Sequence, residues 1–566
     1  MNNSKRIGKT KANKVIAGFL AFMFLMHQSL CYQVLASTIT NGDGTPVVPS
    51  ADGSYNIRPD AINGDVGFKH FNDLNLSKDQ ILNFIYQYYQ QEHKIDGNTI
   101  THIDKFGDIN TFINLVNNGV RIDGIVNALT KLGGDIKSGG NLMFITPNGM
   151  AVGASGVINV GTLSVITPTQ DSYDALSRHL DLPQSPNYAI EKATVINGEI
   201  DPDSIVYDKN WISAVNTDKT FSRDSLVIGN ESQHTITVDG KVFARGDIGL
   251  EGGTVAVGNT GILIAGIGDE NTVIKTNDAA NELFNSLVKA DASASGNAFS
   301  NQNGEIVITS TVGTSIADGA RVRNHADNSN ITITNGGTDG INIAGEVFNN
   351  SGNLTITNNG GLLASASTAE ITNNGIMTIT NNGTATGMSL NGNITNTGDL
   401  NITNKAAGGL NVLGNITNNT GITTVVNTNG KLLVDAGGNV VSNGTNLNIS
   451  NSGEGGLLVA GNVVNNSGAA EITNSNGLLS VTNGGKVYNK GTGLTITNTT
   501  GSGLTIAGIV ENAAGQAVID NQNGQLLVDA TGNVVGNGTS SKITIKNSGT
   551  GLKTVSYTHL TLPTKA

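Results

Sequence analysis

Short stretches of alternating apolar and polar residues recur throughout the second half of the chain. Leu494-Thr-Ile-Thr-Asn498 is typical, because an aliphatic residue fills every second position until an Asn ends the stretch. Alternation with a period of two indicates a β-strand with one buried face. A strand of this length cannot bury that face alone. The pattern therefore predicts many short strands that stack on one another.

The Asn that ends each stretch marks an internal repeat. Ten copies lie between residues 331 and 553, and successive marker residues are 23 or 24 positions apart, with 26 at the last step. Three short strands and three turns fill a unit of this size, and stacking such units buries a continuous core. We therefore predict an all-β protein, a right-handed parallel β-helix with one coil per repeat. The marker residues are Asn335, Asn358, Asn381, Asn404, Asn427, Asn451, Asn474, Asn498, Asn521 and Asn547.

We expect the marker Asn residues to have a structural role. The side-chain amide of each can hydrogen-bond to the Asn one coil away, and Asn tolerates the positive φ that a sharp corner requires. Gly is expected at the other corners. The alternative role is glycosylation, because Asn393-Ile-Thr395 and similar triplets match the acceptor sequence. Such triplets arise freely in a chain this rich in Asn and Thr, so they favour that role only weakly.

The repeat is expected to extend upstream of residue 331. Asn301–Ile308 (NQNGEIVI) matches Asn521–Val528 (NQNGQLLV), and Asn301 precedes Asn335 by 34 residues. This alignment predicts one coil with an enlarged loop. Residues 248–267 alternate in a similar way, so we expect the rod to begin before residue 300.

Two segments of the N-terminal half depart from the strand pattern. Ser77 and Gln80 fit a helix capping box, and the apolar residues that follow share one helical face. We therefore predict a helix over Ser77–Glu92. Residues 171–226 carry more charge and interrupt the rhythm, so we expect them to form an excursion from the rod.

The composition agrees with a thin core that is repeated many times. Charged residues make up 13% of the chain and aromatic residues 4%, whereas there are 74 Gly residues. The net charge is −12, and no Lys/Arg cluster follows the first fourteen residues. A protein that binds nucleic acid needs such a cluster to neutralise phosphates, so we expect no nucleic-acid partner.

The first 36 residues have the features of a signal peptide. Lys5 and other basic residues precede the apolar run Val15–Met26, and Val34–Ala36 offers a cleavage site. The only Cys, Cys31, would leave with this segment, so disulfides and thiolate ligands are not expected. A lipidated Cys31 is the alternative, but Gln28–Leu30 lacks the usual small residue before it. No later apolar stretch reaches about 18 residues, so no membrane anchor is expected in this fragment.

Residues 107–169 carry the most specific sequence signal. Thr146-Pro147-Asn148-Gly149-Met150 is followed by Gly-x-x-x-x-Ile-Asn-Val-Gly-x-Leu over Gly153–Leu163, and Ile125-Val126-Asn127 precedes both. This block resembles the secretion domain of two-partner-secretion exoproteins, the filamentous haemagglutinin family, and is most similar to leukotoxin-like filamentous adhesins. The family motif is Asn-Pro-Asn-Gly-Ile, from which Thr146 and Met150 depart without removing the turn.

The resemblance implies a domain organisation and a transport partner. A secretion domain over residues 37–300 would cap the β-helix, and an outer-membrane β-barrel transporter would recognise it. Repeats would follow over residues 301–553, and residues 554–566 abandon the pattern, as an appended non-native tail would. Turn chemistry alone also explains the Pro-Asn-Gly corner. The residues assigned to transporter recognition are Pro147, Asn148, Gly149, Met150, Ile125 and Asn127.

The function implied by the resemblance is that of an adhesin on the surface of a diderm bacterium. It would leave the cell through the periplasm and bind an unidentified receptor on host or neighbouring bacterial cells. The alternatives are the N-terminal part of a leukotoxin-like cytotoxin and an autotransporter passenger.

The rival class is a β-helical polysaccharide-degrading enzyme. Asp435 and Asp529 occupy equivalent places four coils apart, which is roughly 19 Å at about 4.8 Å per coil and too far for cooperation. No His lies between residues 326 and 558. We therefore predict no catalytic residue, no metal site and no cofactor.

Overall fold

The computed structural model describes residues 37–554 apart from 97–98, 133–134, 184–187, 193–194, 197–198, 201–205, 213–214, 269–272, 293–302 and 539. The chain divides into a unit that ends at Thr38 and a second unit that begins at Ile39, and the fold below is that of the second unit. The expected signal peptide over residues 1–36 and residues 555–566 of the expected tail lie outside the described residues.

The second unit is a parallel β-helix of about 18 coils, which confirms the predicted fold class. Each repeat coil contains three strands, as in Asn353–Asn358, Leu363–Ser365 and Glu370–Asn373. We call these the first, second and third strands of a coil. Each pairs in parallel with the equivalent strand of the next coil, so that Asn358 is opposite Asn381. First and second strands share one sheet, and third strands form the other.

The strands of the repeat region follow this order without exception from Asn303. The strand Asn303–Ile316 serves as both first and second strand of its coil. The later first strands are Asn328–Asn335, Asn353–Asn358, Ile376–Asn381, Leu400–Asn404, Ile422–Asn427, Asn446–Asn451, Ala469–Asn474, Gly493–Asn498, Gln516–Asn521 and Lys542–Asn547. The second strands are Gly340–Ile343, Leu363–Ser365, Met388–Leu390, Leu410–Val412, Leu432–Val434, Leu457–Val459, Leu479–Val481, Leu504–Ile506, Gln525–Val528 and Gly551–Thr554. The third strands are Arg321–Asn324, Glu346–Asn349, Glu370–Asn373, Asn393–Asn396, Asn415–Asn418, Asn439–Ser442, Asn462–Asn465, Lys486–Asn489, Ile509–Asn512 and Asn533–Gly536.

Alternation along each strand directs the aliphatic residues into the core. In the strand Gly493–Asn498, Leu494 and Ile496 are each 1% exposed, whereas Thr495 and Thr497 are partly exposed. Stacking the coils aligns these inward residues into one continuous hydrophobic cluster. The inward and outward assignment made from the sequence is therefore confirmed.

Glycine, not asparagine, supplies the left-handed backbone at the corners. Among the residues described, Asp79 and Asp181 are the non-glycine residues with positive φ, so the positive φ expected at the marker Asn residues is wrong. Each marker Asn instead ends an extended strand, and a Gly follows it at the turn. Gly361, with φ of 68°, performs this role after Asn358. A Cβ there would lie 2.3 Å from the Thr338 carbonyl oxygen of the neighbouring coil.

The N-terminal coils are built from strands of less regular length. Those that form coils are Thr38–Asn41, Tyr55–Ile57, Ala61–Asn63, Val66–Leu76, Ile81–Ile85, Thr111–Val116, Val120–Ile122, Ile125–Leu132, Asn141–Ile145, Met150–Val152, Val157–Val160, Thr162–Ile166, Thr235–Val238, Lys241–Ala244, Ile248–Val257 and Ile262–Ala265. Gln87–Asp96 and Thr99–Asp108 pair as an antiparallel hairpin, and Asp135–Ser138 folds back on Ile125–Leu132.

Two helices cover the outer faces of these N-terminal coils. Helix α1 (Gln170–Leu180) packs Tyr173, Leu176 and Leu180 on outward residues of the first strands such as Leu115. Helix α2 (Asn277–Ala292) belongs to a cluster with outward residues of the third strands such as Phe243. Both faces of these strands are therefore apolar, whereas the later coils expose their outward face.

The helix predicted over Ser77–Glu92 is wrong. Ile81–Ile85 and Gln87–Asp96 are strands, and Ile81–Ile85 pairs in parallel with Tyr55–Ile57 and Ile125–Leu132. Leu82, Phe84 and Tyr86 are at most 1% exposed and line the core. The segment carries apolar residues at both helical and alternating positions, and stacking between two other strands selects the alternation.

The enlarged coil predicted from Asn301 is also wrong. Ile306-Val307-Ile308 pairs with Ile331-Thr332-Ile333, so it is a first strand, whereas Leu526-Leu527-Val528 belongs to a second strand. Ser310 is opposite Asn335, which gives this coil 25 residues. Asn301 itself lies outside the described residues. First and second strands alternate alike, so local similarity could not distinguish them.

The excursion expected over residues 171–226 agrees with the structure. The chain leaves the coil after Ile166, forms helix α1, and re-enters the rod at Thr235–Val238. Between them, the described residues form the 3-10 turn Arg223–Ser225 and five strands. These strands are Tyr188–Lys192, Val195–Ile196, Glu199–Ile200, Val206–Ile212 and Val215–Asn216.

Candidate functional site

The corner Pro147–Gly149 joins the strands Asn141–Ile145 and Met150–Val152. Gly149 has φ of 82°, and a Cβ there would lie 2.6 Å from the carbonyl oxygens of Gln233 and Thr235. Asn148 donates through Nδ2 to the carbonyl oxygen of Asn117 at 2.6 Å. The corner is therefore fixed between the coil before it and the coil after it.

Asn148 alone among the six predicted transporter-recognition residues has an exposed side chain. Pro147, Gly149 and Met150 are buried at the corner, and Met150 is opposite Val120 and Ile236 in the neighbouring coils. Ile125 is 3% exposed and packs in the cluster that contains helix α2. Asn127 is fully buried. A transporter that binds this surface would therefore touch Asn148, which Pro147, Gly149 and Met150 hold at the corner, whereas Ile125 and Asn127 lie in the other sheet.

Asn127 holds the segment before helix α2 against the rod. Its Nδ2 donates to the Ile274 carbonyl oxygen at 2.9 Å, and the Ile274 N–H donates to its Oδ1 at 3.1 Å. Asn127 also donates to Asn83 Oδ1 at 3.3 Å and accepts from Asn159 Nδ2 at 3.1 Å. These contacts give Asn127 a structural role at the junction of coil and helix.

The ten marker Asn residues form a continuous hydrogen-bonded ladder inside the repeat region. From Asn335 onward, Nδ2 of each residue donates to Oδ1 of the next at 2.8–3.1 Å. The second amide hydrogen donates to a carbonyl in the following turn, as from Asn358 to Gly361. Ser310 ends the ladder upstream by donating to Asn335 Oδ1 at 2.9 Å. The ladder thus satisfies buried polar groups at one corner of every coil.

A second buried ladder was not assigned from the sequence. It runs along the ends of the third strands, where Asn349, Asn373, Asn396 and Asn418 are linked successively at 2.8–3.0 Å. It resumes as Asn465, Asn489 and Asn512 at 2.7–2.8 Å. Ser442 replaces Asn between the two parts, and its hydroxyl accepts from buried Thr423 at 3.0 Å. The signal was present, because Asn ends Asn393-Ile-Thr-Asn396 as it ends the first strands.

Many outward positions on the outer wall of the repeat region carry short, uncharged side chains, between charged positions such as Glu370 and Glu471. Outward positions of successive first strands are Thr332 and Thr334, Thr355 and Thr357, then Thr378 and Thr380, each partly exposed. On the third strands, the outward amides of Asn393, Asn415, Asn439 and Asn462, which are at least partly exposed, are linked at 2.7–2.9 Å. This wall offers repeated hydroxyl and amide groups to a ligand.

The acidic residues considered for catalysis are not brought together. Asp435 and Asp529 follow second strands four coils apart, as their equivalent sequence positions indicate. Across the part of the chain that the structure describes, no group of three or more His, Cys, Asp or Glu could hold a metal ion. Within those same residues, no helix is long and apolar enough to cross a membrane.

No protein-family model and no curated protein sequence matches this chain.

Proposed function

We propose that the chain is the rod of a filamentous surface adhesin, exported through a partner outer-membrane β-barrel transporter. The observation that carries the proposal is the set of outward Thr and Asn residues that recur on successive described repeat coils. An adhesive filament needs length and an accessible side wall, and stacked coils supply both. We place the protein at the surface of a diderm bacterium, with a receptor on host or neighbouring bacterial cells.

The N-terminal coils support the export step of this proposal. Their outward faces are covered by helices α1 and α2, whereas the Pro147–Gly149 corner presents Asn148 to solvent. A corner held by two neighbouring coils keeps the same shape whenever these coils are folded. We therefore assign the corner as the element that the transporter recognises.

Export should fail when the exposed tip of the corner is altered. In cells that produce the partner transporter, Asn148→Lys should remove the chain from the surface and leave it in the periplasm. Asn148 contributes one hydrogen bond at the surface, so the change should leave the core intact. Surface and periplasmic fractions would be compared by immunoblotting.

Asn110→Lys is the matched control, because Asn110 is also exposed and donates one side-chain hydrogen bond, to Asp65 Oδ2 at 2.9 Å. Its export should be normal. Gly149 is unsuitable for this test, since any Cβ would collide with the backbone of the next coil. Normal surface levels of Asn148→Lys would exclude the corner as the recognition element.

Adhesion is tested separately on cells that display the chain. A strain with the chain at its surface should attach to epithelial monolayers, or settle with other bacterial cells, more than the same strain without it. The Asn148→Lys strain should behave like the strain without the chain. If attachment is unchanged at normal surface levels, the adhesin proposal fails while the export proposal stands.

A further inference from the structure

Three polar residues are buried together at the N-terminal end of the rod. Lys69, in the strand Val66–Leu76, is 1% exposed, Asp60 is 2% exposed, and Asn41, at the end of Thr38–Asn41, is 3% exposed. Lys69 Nζ lies 2.7 Å from Asp60 Oδ1 and 2.8 Å from Asn41 Oδ1. The amine therefore contacts a carboxylate and a carboxamide at the same time.

Each member of this cluster is held in place by its own contacts. The Asn41 amide donates to the Thr45 hydroxyl at 3.1 Å and to the Thr45 carbonyl oxygen at 3.3 Å. Asp60 Oδ2 accepts from the His70 N–H at 3.2 Å. The Lys69 ammonium lies 5.5 Å from the centre of the Phe71 ring. Burying an ion pair is costly, and an apolar pair would fill the same space.

We propose that Lys69 and Asn41 form an intramolecular amide bond, with Asp60 as the proton carrier. The ammonium of Lys69 gives one proton to Asp60, and the neutral amine attacks the Asn41 side-chain carbonyl carbon. The protonated Asp60 hydrogen-bonds to the oxygen that gains negative charge. The C–N bond to the original amide nitrogen then breaks, and that nitrogen leaves as an ammonium ion with the two protons that Lys69 gave up, one of them passed on by Asp60. One C–N bond forms, one breaks, and nothing is oxidised or reduced.

The environment of Asp60 suits a proton carrier. Burial raises the pKa of the Asp60 carboxyl, against the opposing effect of the Lys69 charge. In a medium of low dielectric, moving the proton from Lys69 to Asp60 replaces two charges with two neutral groups. The amine is then nucleophilic, and the donor is already beside it.

The bond would join the strand that ends at Asn41 to the strand Val66–Leu76. It would close a loop of 28 residues at the first coils of the rod. The chain has one Cys, at position 31, so residues 37–566 contain none and cannot form a disulfide within themselves. A Lys–Asn amide gives a covalent link at this end without any thiol, and it does not depend on the adhesin proposal.

The test is the mass of the purified secreted chain. Wild type should be lighter than its sequence by one ammonia, whereas Lys69→Arg and Asp60→Asn should have their full sequence masses. Asn41→Asp should form the same bond with loss of water, and so should give the same product mass as wild type. Equal masses of wild type and Asn41→Asp would show that the ammonia is lost at residue 41 and not elsewhere in the chain.

Peptide mapping locates the bond independently. Trypsin does not cleave between Arg58 and Pro59, so Asn41 and Lys69 stay on one peptide. An amide on Lys69 also blocks cleavage there, so the peptide should continue to Lys78 and be lighter by one ammonia. Release of an unmodified peptide ending at Lys69 from folded wild type, at its full mass, would overturn the proposal. Since this outcome concerns wild type, it does not depend on the folding of any variant.

Discussion

Ile356→Asp is expected to destabilise the rod by several kcal/mol, whereas Thr355→Asp should change the free energy of unfolding by no more than about 0.5 kcal/mol. Ile356 is fully buried and lies between Ile333 and Ile379 of the adjacent coils. A carboxylate there would have aliphatic neighbours on both sides. Thr355 points outward between Thr332 and Thr378, so an Asp would remain solvated.

The damage should also be local. Each coil contacts its neighbours, so Ile356→Asp should first loosen the coils that contain Ile333 and Ile379 and spare distant ones. Hydrogen exchange on the full chain would measure this, and chemical denaturation would give the free energies. Equal losses for the two variants would contradict the assignment of Ile356 to the core and Thr355 to the outer wall.

The choice of this pair follows from the charges on the outer wall. In the later strand Gly493–Asn498, the outward Thr495 is opposite Glu471. An Asp at Thr495 would therefore face a carboxylate of the preceding coil, and repulsion would add to the measured loss. Thr355 has uncharged neighbours, so Thr355→Asp measures the effect of an outward-pointing carboxylate without added repulsion.

The repeat region was predictable because every coil buries its aliphatic residues in the same way. Alternation in Leu354-Thr-Ile-Thr-Asn358 fixes the buried face, and the spacing of marker residues fixes which strands stack. The position of the core and the partner of each strand follow from these two periods. The prediction that failed was the positive φ at Asn358, because propensity alone does not distinguish the last residue of a strand from the turn after it.

The N-terminal coils were less predictable because their partners are distant and do not repeat. The residues Ile81, Phe84 and Ile85 fit a helix as well as Leu82, Phe84 and Tyr86 fit a strand. Pairing with Ile125–Leu132, more than 40 residues later, decides between them. The cluster of Asn41, Asp60 and Lys69 was missed for the same reason, since nothing in the spacing of these residues indicates contact.

Removal of one rung from the first Asn ladder should cost about 3 kcal/mol. Asn451 donates to Asn474 Oδ1 at 2.8 Å and to the Gly453 carbonyl oxygen at 3.0 Å, and it accepts from Asn427 Nδ2 at 2.8 Å. Asn451→Ala would leave these partners buried without that contact, and each unsatisfied group costs about 1–3 kcal/mol. A water that enters the space would recover part of the loss, so the expected value lies below the sum.

Asn448→Ala is the matched control, because Asn448 lies on the same strand, Asn446–Asn451, and points outward. Its loss should stay within about 0.5 kcal/mol, as for most surface substitutions. Denaturation of both variants at equal concentration would give the difference. We expect the two variants to differ because the hydrogen bonds of Asn451 are buried and link it to the Asn residues of both neighbouring coils. If the two losses were the same, the bonds of Asn451 would contribute no more to folding than an exposed amide, and the rod would depend on its aliphatic core alone.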